Sequence, residues 1–194
     1  MDNLKIRRKF NDAVVICGGE PTIHPGLKSF IKYLKQLGYF VKLDTNGMNP
    51  DVLYNVSEIV DYIAMDIKTS FNKYHLLIPA NIKNNNKDNI IKTPAEQNAI
   101  VTEKINQSIN IVKLKEKSEF RTTVYSKFVS IDDLEFIKNK IYDDGTDWFL
   151  QKYVCRPEFN PTDEEKKNEL LSITTICKFM NIDLTKDERI KFYN

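Results

Sequence analysis

AVVICGGEPTIHPGLKSFIKYLKQLGYFVKLDTNG, residues 13–47, is the stretch that decides the fold. Ala13-Val14-Val15-Ile16-Cys17 is an unbroken apolar run, the pattern of a strand buried on both faces of a parallel sheet. Gly18-Gly19 ends that strand and lets the backbone approach a neighbour closely, with Glu20 beside it. Pro21 and Pro25 hold off a helix until Leu27, Phe30, Ile31, Leu34 and Leu37 make one apolar face, and Gly38 follows as its C-cap. Phe40–Leu43 is the next strand and closes in Asp44-Thr45-Asn46-Gly47. Two successive strands thus end in small, polar, turn-forming residues. That edge is where parallel α/β sheets and barrels keep their chemistry.

The same rhythm extends outward. Leu4–Phe10 is basic and reads as the tail of a helix. Asn49 is a good N-cap and Pro50 suits the first helical position, with Val52, Leu53, Val56, Ile59 and Val60 as the apolar face. Residues 62–68, YIAMDIK, form a third strand with Asp66 and Lys68 at its C-terminal end. Residues 79–98, PANIKNNNKDNIIKTPAEQN, have little to bury and read as a surface insertion. Strands start about 25 residues apart before this segment and more than twice that across it. Val101, Ile105, Ile109 and Val112 then line a long helix, and Glu119–Val124 is a fourth strand carrying Arg121. Ser130 and Asp133 make a capping box for a helix with Leu134, Ile137 and Ile141. Trp148–Gln151 is a fifth strand. Thr162 and Glu165 cap a last helix with Leu170, Ile173, Ile176, Phe179 and Met180, and the terminal DERIKFYN shows no clear pattern. Repeated βα units with right-handed crossovers give parallel strands in one α/β domain spanning 1–194.

Composition narrows the class. A chain of 194 residues can bury a substantial core, and a net charge of +2 with interspersed signs argues for neither a nucleic-acid stripe nor a membrane surface. The polar start MDNLKIRRKF is no signal peptide, and no apolar run is long enough to span a bilayer, so the reading is cytoplasmic. Cys17, Cys155 and Cys177 lie 138 and 22 residues apart, which matches no local metal-ligand spacing and no disulfide framework. Cys17 and Cys177 read as small buried hydrophobes. His24 and His75 are isolated, so no histidine metal site is assigned.

Four motifs occur in order, each at a strand end: GGEPT at 18–22, LDTNG at 43–47, AMDIK at 64–68 and EFRTT at 119–123. Together they resemble the radical S-adenosylmethionine (SAM) proteins that activate glycyl radical enzymes, most nearly the anaerobic ribonucleoside-triphosphate reductase activating proteins. The likeness runs from about residue 4 to about residue 157. It implies a partial (βα)6 radical SAM barrel, here lacking its first βα unit. It also implies a [4Fe–4S] cluster held by a CxxxCxxC loop, which this chain does not contain. In the resemblance Gly18, Gly19 and Glu20 take the amino group of SAM, and Asp44, Asn46, Asp66 and Lys68 line the same pocket. Asp44, Thr45 and Asp66 would also hold a monovalent cation against the SAM carboxylate. Arg121 and Gln151 complete the set. The implied partner is an anaerobic ribonucleotide reductase or another glycyl radical enzyme. The implied reaction is reductive cleavage of SAM to a 5′-deoxyadenosyl radical, which takes hydrogen from a glycine of that partner.

Each residue also has a plainer reading. Gly18-Gly19 is equally a strand-ending turn, Asp44 and Asn46 equally cap the helix at Pro50, and Lys68 equally points into solvent. Arg121 is harder to dismiss, because an arginine in a buried strand needs an acceptor. Two functional readings follow. The chain is either the C-terminal portion of an activating enzyme, inactive without the cluster-bearing part, or a cluster-free module that retains SAM binding or docking to the reductase. A separate chain carrying the cluster fits the first reading. In either, a missing first strand leaves an unpaired sheet edge beside residues 13–17.

Overall fold

Short apolar strands alternate with amphipathic helices, and each strand lies beside the one before it. The computed structural model describes residues 2–77, 93–125, 128–141, 145–153 and 190–193. In chain order the elements are α1 (Asp2–Arg7), β1 (Ala13–Ile16), α2 (Leu27–Gln36), β2 (Phe40–Thr45), α3 (Pro50–Ser57) and β3 (Tyr62–Asp66). They continue with α4 (Pro94–Lys113), β4 (Ser118–Val124), α5 (Ile131–Ile141), β5 (Asp147–Lys152) and β6 (Ile190–Tyr193). Single 3-10 segments cover Pro21–Ile23 and Phe71–Leu77. The sheet order is β1-β2-β3-β4-β5-β6 and every pairing is parallel. A doubly wound sheet reverses direction at a switch point, whereas this one never does, which is the progression of a barrel wall. The first five strands are those read from the sequence. β6 falls in the terminal DERIKFYN, where four residues between charged and polar neighbours gave no recognisable period.

Register sorts the side chains onto two faces. Thr45, Met65, Phe120 and Trp148 are aligned across β2–β5, as are Leu43 and Ile63, and all of these are buried. They form the core with Ile31 and Leu34 of α2, Leu53 and Val56 of α3, Val101, Ile105, Ile109 and Val112 of α4, and Leu134, Ile137 and Ile141 of α5. The opposite face carries Lys42, Asp44, Tyr62, Asp66, Glu119 and Arg121. Trp148 Nε1 donates to Thr122 Oγ1 (3.1 Å), which donates to the Ile67 carbonyl (2.8 Å), tying β5 and β4 to the end of β3. Among the described residues no helix is long and apolar enough to cross a membrane.

Several expectations change. β1 is an edge strand paired with β2, so its apolar run is not covered on both faces: Val15 is 51% exposed and Cys17 is exposed. Phe30 lies off the buried stripe of α2 and is exposed. Asn49 is the N-cap residue of α3 but makes no side-chain cap; its Nδ2 donates instead to Thr22 Oγ1 (2.9 Å). The segment 79–98 ends in helix. Thr93 accepts from the Glu96 amide (3.3 Å) and Glu96 Oε2 accepts from the Thr93 amide (2.8 Å), a capping box with Pro94 at the first position. The rest of that segment, together with Cys155, Cys177 and the Thr162–Glu165 capping box, lies outside the described residues. The Ser130–Asp133 capping box is present, with Ser130 N donating to Asp133 Oδ2 (2.7 Å) and Asp133 N to Ser130 Oγ (3.3 Å).

The turn after β2 is closed on all sides. Gly47 has φ +75°, and a Cβ there would stand 2.2 Å from Met65 Cε and 3.2 Å from Ser108 Cβ. Ser108 Oγ in α4 also donates to the Gly47 carbonyl (2.7 Å). Met65 is fully buried, so its thioether must shift within the core to make room. Gly47→Ala therefore destabilises the fold by about 2–4 kcal/mol, combining backbone strain with overpacking; urea denaturation of both proteins reads the difference.

Candidate functional site

The C-terminal ends of β1–β5 bring the predicted residues to one edge of the sheet. Gly18 and Gly19 turn the chain after β1 with φ +97° and +57°, and a Cβ on either would meet nothing within 4 Å. Their main chain therefore borders open space, and the backbone conformation demands glycine at Gly18 in particular.

Glu20 is a clasp between two loops. Its Oε1 accepts from Thr22 N (3.2 Å), from the Thr22 hydroxyl, and from Thr45 Oγ1 (2.8 Å), while Oε2 accepts from Asn46 N (2.7 Å). Thr45 Oγ1 also accepts from the Gly47 amide (3.1 Å), and Asn46 Oδ1 accepts from the Met48 amide (2.9 Å). These short-range bonds make the DTNG segment a pre-formed turn, locked to the GGE turn through one carboxylate. Thr22 and Asn49 belong to this network and were given no site role from the sequence, where Asn49 was read only as a helix cap, although Thr22 stands two residues after Glu20, where a hydroxyl readily meets a side-chain acceptor.

A second group is charged. Arg121 Nε donates to Asp66 Oδ1 (2.9 Å) and its Nη1 to Asp44 Oδ2 (3.0 Å). Lys68 Nζ approaches Asp66 Oδ2 at 3.3 Å and is half exposed, so this pair alone is weak. Asp44 Oδ1 is buried and has no hydrogen-bond partner. Burial alone would lower the Arg121 pKa, but Asp66 and Asp44 outweigh it and raise the pKa above its ordinary value, so the guanidinium stays charged. Asp44 is thus an ion-pair partner and not a helix cap. Gln151 stands apart from both groups, its Oε1 accepting a long bond from Thr123 Oγ1 (3.5 Å).

Below Arg121 lies a layer the sequence reading passed over. Buried Glu119 accepts from Lys42 Nζ (2.9 Å) and the Tyr62 hydroxyl (2.7 Å). Glu119 precedes Arg121 by two residues, so the period of the strand placed it on the same face. A cleft of about 410 Å³ opens at the other end of the sheet, along Lys113–Ser118 and Gly145–Asp147, and holds none of the strand-end residues named above.

The segment after β3 is held by its own network. The Lys68 amide donates to the Tyr74 hydroxyl (3.2 Å), and burial pushes the Tyr74 pKa well up. Thr69 Oγ1 donates to the Phe128 carbonyl (2.8 Å). Asp133 accepts from Lys73 Nζ (2.6 Å), Ser70 Oγ and Ser130. Burial pushes the Asp133 carboxyl up, but those bonds outweigh it and hold it below its ordinary value. Its contribution to stability is therefore complete above about pH 4 and is lost as pH falls through the lower folded value. Asp133→Asn costs about 1–3 kcal/mol at pH 7, and the gap to wild type narrows at pH 3. Urea titrations at the two pH values check this. Asp61, also held low by Lys35 and the Val41 amide against the upward push of burial, leaves residual acid sensitivity in the variant.

No protein-family model matches the chain. It is 30% identical over 176 residues to MJ1227 of Methanocaldococcus jannaschii, provisionally named a glycyl-radical enzyme activating enzyme, across 87% of this chain and 68% of that protein. A stretch of 58 residues is 41% identical to 7-carboxy-7-deazaguanine synthase of Neisseria meningitidis, covering 30% of this chain and 25% of that enzyme. The crystal structure of a domain of pyruvate-formate lyase-activating enzyme from Bacteroides vulgatus shares the fold, with a TM-score of 0.58 at 14% identity over 95% of this chain and 100% of that domain. Through the MJ1227 relationship and the strand-end motifs, the chain belongs to the glycyl-radical-enzyme activase-like proteins of the radical SAM superfamily.

Proposed function

We propose that this chain supplies the SAM-binding wall of an activating protein for a glycyl radical enzyme. The sequence resemblance favours an anaerobic ribonucleotide reductase as the target and a cytoplasmic setting. One observation carries the reading: a polar cluster at adjacent strand ends contains an orphaned buried acceptor, Asp44 Oδ1, beside a guanidinium with uncommitted donors. SAM needs both, an acceptor for its ammonium and donors for its carboxylate. Gly18 and Gly19 border open space and leave room for the ligand, while Asp66 and Lys68 complete a wall of mixed charge. Glu20 presents few free lone pairs, so its part is to hold the Gly18-Gly19 and Asp44–Gly47 turns together, with Thr45 and Asn46 as the other half of that clasp. Gln151 of β5, beside Thr123, is the member of the set with no direct link to this cluster.

When bound and reduced by one electron, SAM supplies a hydrogen-abstracting radical; the residues named here bind it, orient it and limit water. An iron–sulfur cluster needs grouped thiolates, and the described residues offer Cys17 alone, so no step is assigned to one here. The scattered cysteines also favour a second reading, a cluster-free module that retains SAM binding or docking to the reductase.

Calorimetric titration of the purified chain with SAM tests the proposal. One-to-one binding is expected, and Asp44→Asn weakens it about tenfold by removing the charge that meets the ammonium. Folded wild-type protein that takes up no SAM would overturn the reading.

A further inference from the structure

The resemblance places a monovalent cation at Asp44, Thr45 and Asp66, and the geometry gives all three residues other partners. Thr45 Oγ1 donates to Glu20 and accepts from the Gly47 amide. Asp66 Oδ1 and Asp44 Oδ2 both accept from Arg121. The hydroxyl is locked in a turn, and the two carboxylates are already bridged.

We propose that the Arg121 guanidinium is the built-in counter-cation of this site, so that ligand binding here needs no free potassium or sodium ion. The register explains how one side chain serves two strands. Arg121 lies directly opposite Asp66 across the β3–β4 ladder. Asp44 is one strand further away, paired with Ala64, which in turn is paired with Glu119. Parallel strands lie about 4.8 Å apart, so Asp44 stands about 9.6 Å from β4 at the backbone. The β3 residue between Asp44 and Glu119 is Ala64, a single methyl group, so no long β3 side chain stands beside Asp44 on the diagonal to Arg121. A lysine would bring one point charge, whereas the planar fork meets Asp66 through Nε and Asp44 through Nη1 at once.

The bridge also has directional consequences. Two of the five guanidinium N–H groups are committed to the carboxylates, which leaves donors on Nη1 and Nη2. Resting on the SAM reading, those donors receive the carboxylate of the ligand in place of a metal ion. The charge that a dissociable ion would bring is covalently fixed and 15% exposed at its side chain, so it neither exchanges nor depends on salt composition.

The test compares wild type with Arg121→Ala in potassium, sodium and choline chloride at equal ionic strength, reading melting temperature first and SAM affinity second. Wild type is expected to melt at one temperature in all three salts. Arg121→Ala, with two carboxylates freed, is expected to melt higher in potassium or sodium than in choline. Its SAM affinity falls about tenfold in choline and recovers in part with the metal ion. Wild type that is stabilised by potassium or sodium over choline overturns the assignment, as does a folded Arg121→Ala protein indifferent to the ion. Arg121→Gln, which is shorter and uncharged but keeps a polar head, takes its place if the alanine variant does not fold. Because the melting measurements need no SAM, failure to bind SAM strikes the proposed ligand and leaves the counter-cation assignment to be decided by melting alone.

Discussion

A guanidinium reaching across one strand to two carboxylates sets how the active edge of this sheet can be built. Asp44 and Asp66 end neighbouring strands on the same face, and without a cation between them their mutual repulsion would push β2 and β3 apart or protonate one of them. Arg121 removes that conflict at 2.9 and 3.0 Å. A layer lower, Lys42 does the same for Glu119, with the Tyr62 hydroxyl on the second oxygen and the ammonium 4.7 Å from the Tyr62 ring centre. Lys42, Lys68 and Arg121 thus face Asp44, Asp66 and Glu119. Buried charges are tolerated when paired and hydrogen-bonded, and this face obeys that rule residue by residue. Asp44 Oδ1 is the exception.

The second constraint is mechanical. Parallel strands place all their C-terminal turns at one edge, but each turn has its own preferred path, and only side-chain bonds hold neighbouring turns in a fixed relation. Glu20 does this for the first two. Four donors from Thr22, Thr45 and Asn46 converge on its carboxylate, and Asn49 reaches back to Thr22 from the start of α3. Asp133 does it for the loop after β3, joining Ser70 and Lys73 to the first turn of α5. The polar residues of the edge therefore divide into those that hold the turns and those left for the proposed ligand. Sequence motifs list both kinds together.

That division explains how much was legible in the sequence. The strands and helices from Ala13 to Gln151 follow from alternating apolar runs and helical faces, because those patterns are dictated by burial on one known side. The strand-end residues were legible for the same reason, since a parallel sheet leaves one place for them. What failed depended on neighbours the sequence does not name. Val15 and Cys17 have the composition of a central strand yet lie at an edge, and composition carries no record of pairing. Asn49 has the chemistry of a cap, yet its side-chain amide makes no cap and its Nδ2 is given to Thr22. Thr93-Pro94-Ala95-Glu96 had a complete helix-start signal that the Asn-rich segment before it obscured. Glu119 was visible by its period of two and was overlooked beside the more conspicuous Arg121.

Why the edge suits a zwitterion follows from the same accounting of partners. A purely anionic ligand would meet Asp44 and Asp66, and a purely cationic one would compete with Arg121 for carboxylates already bridged. A ligand carrying both charges a few bonds apart conflicts with neither: in the proposed function its ammonium is met by the Asp44 carboxylate and its carboxylate by the guanidinium N–H groups that the aspartates leave over. The two groups lie on one ion pair, so their separation is set by that pair's geometry and not by a flexible loop. An α-amino acid end, as SAM has, presents its ammonium and carboxylate on one carbon, the kind of ligand the proposed function calls for. In the proposed function the bridge that neutralises the sheet edge is also the element that meets the ligand, and a lysine in place of Arg121, with one point charge, would lose one of the two carboxylate contacts.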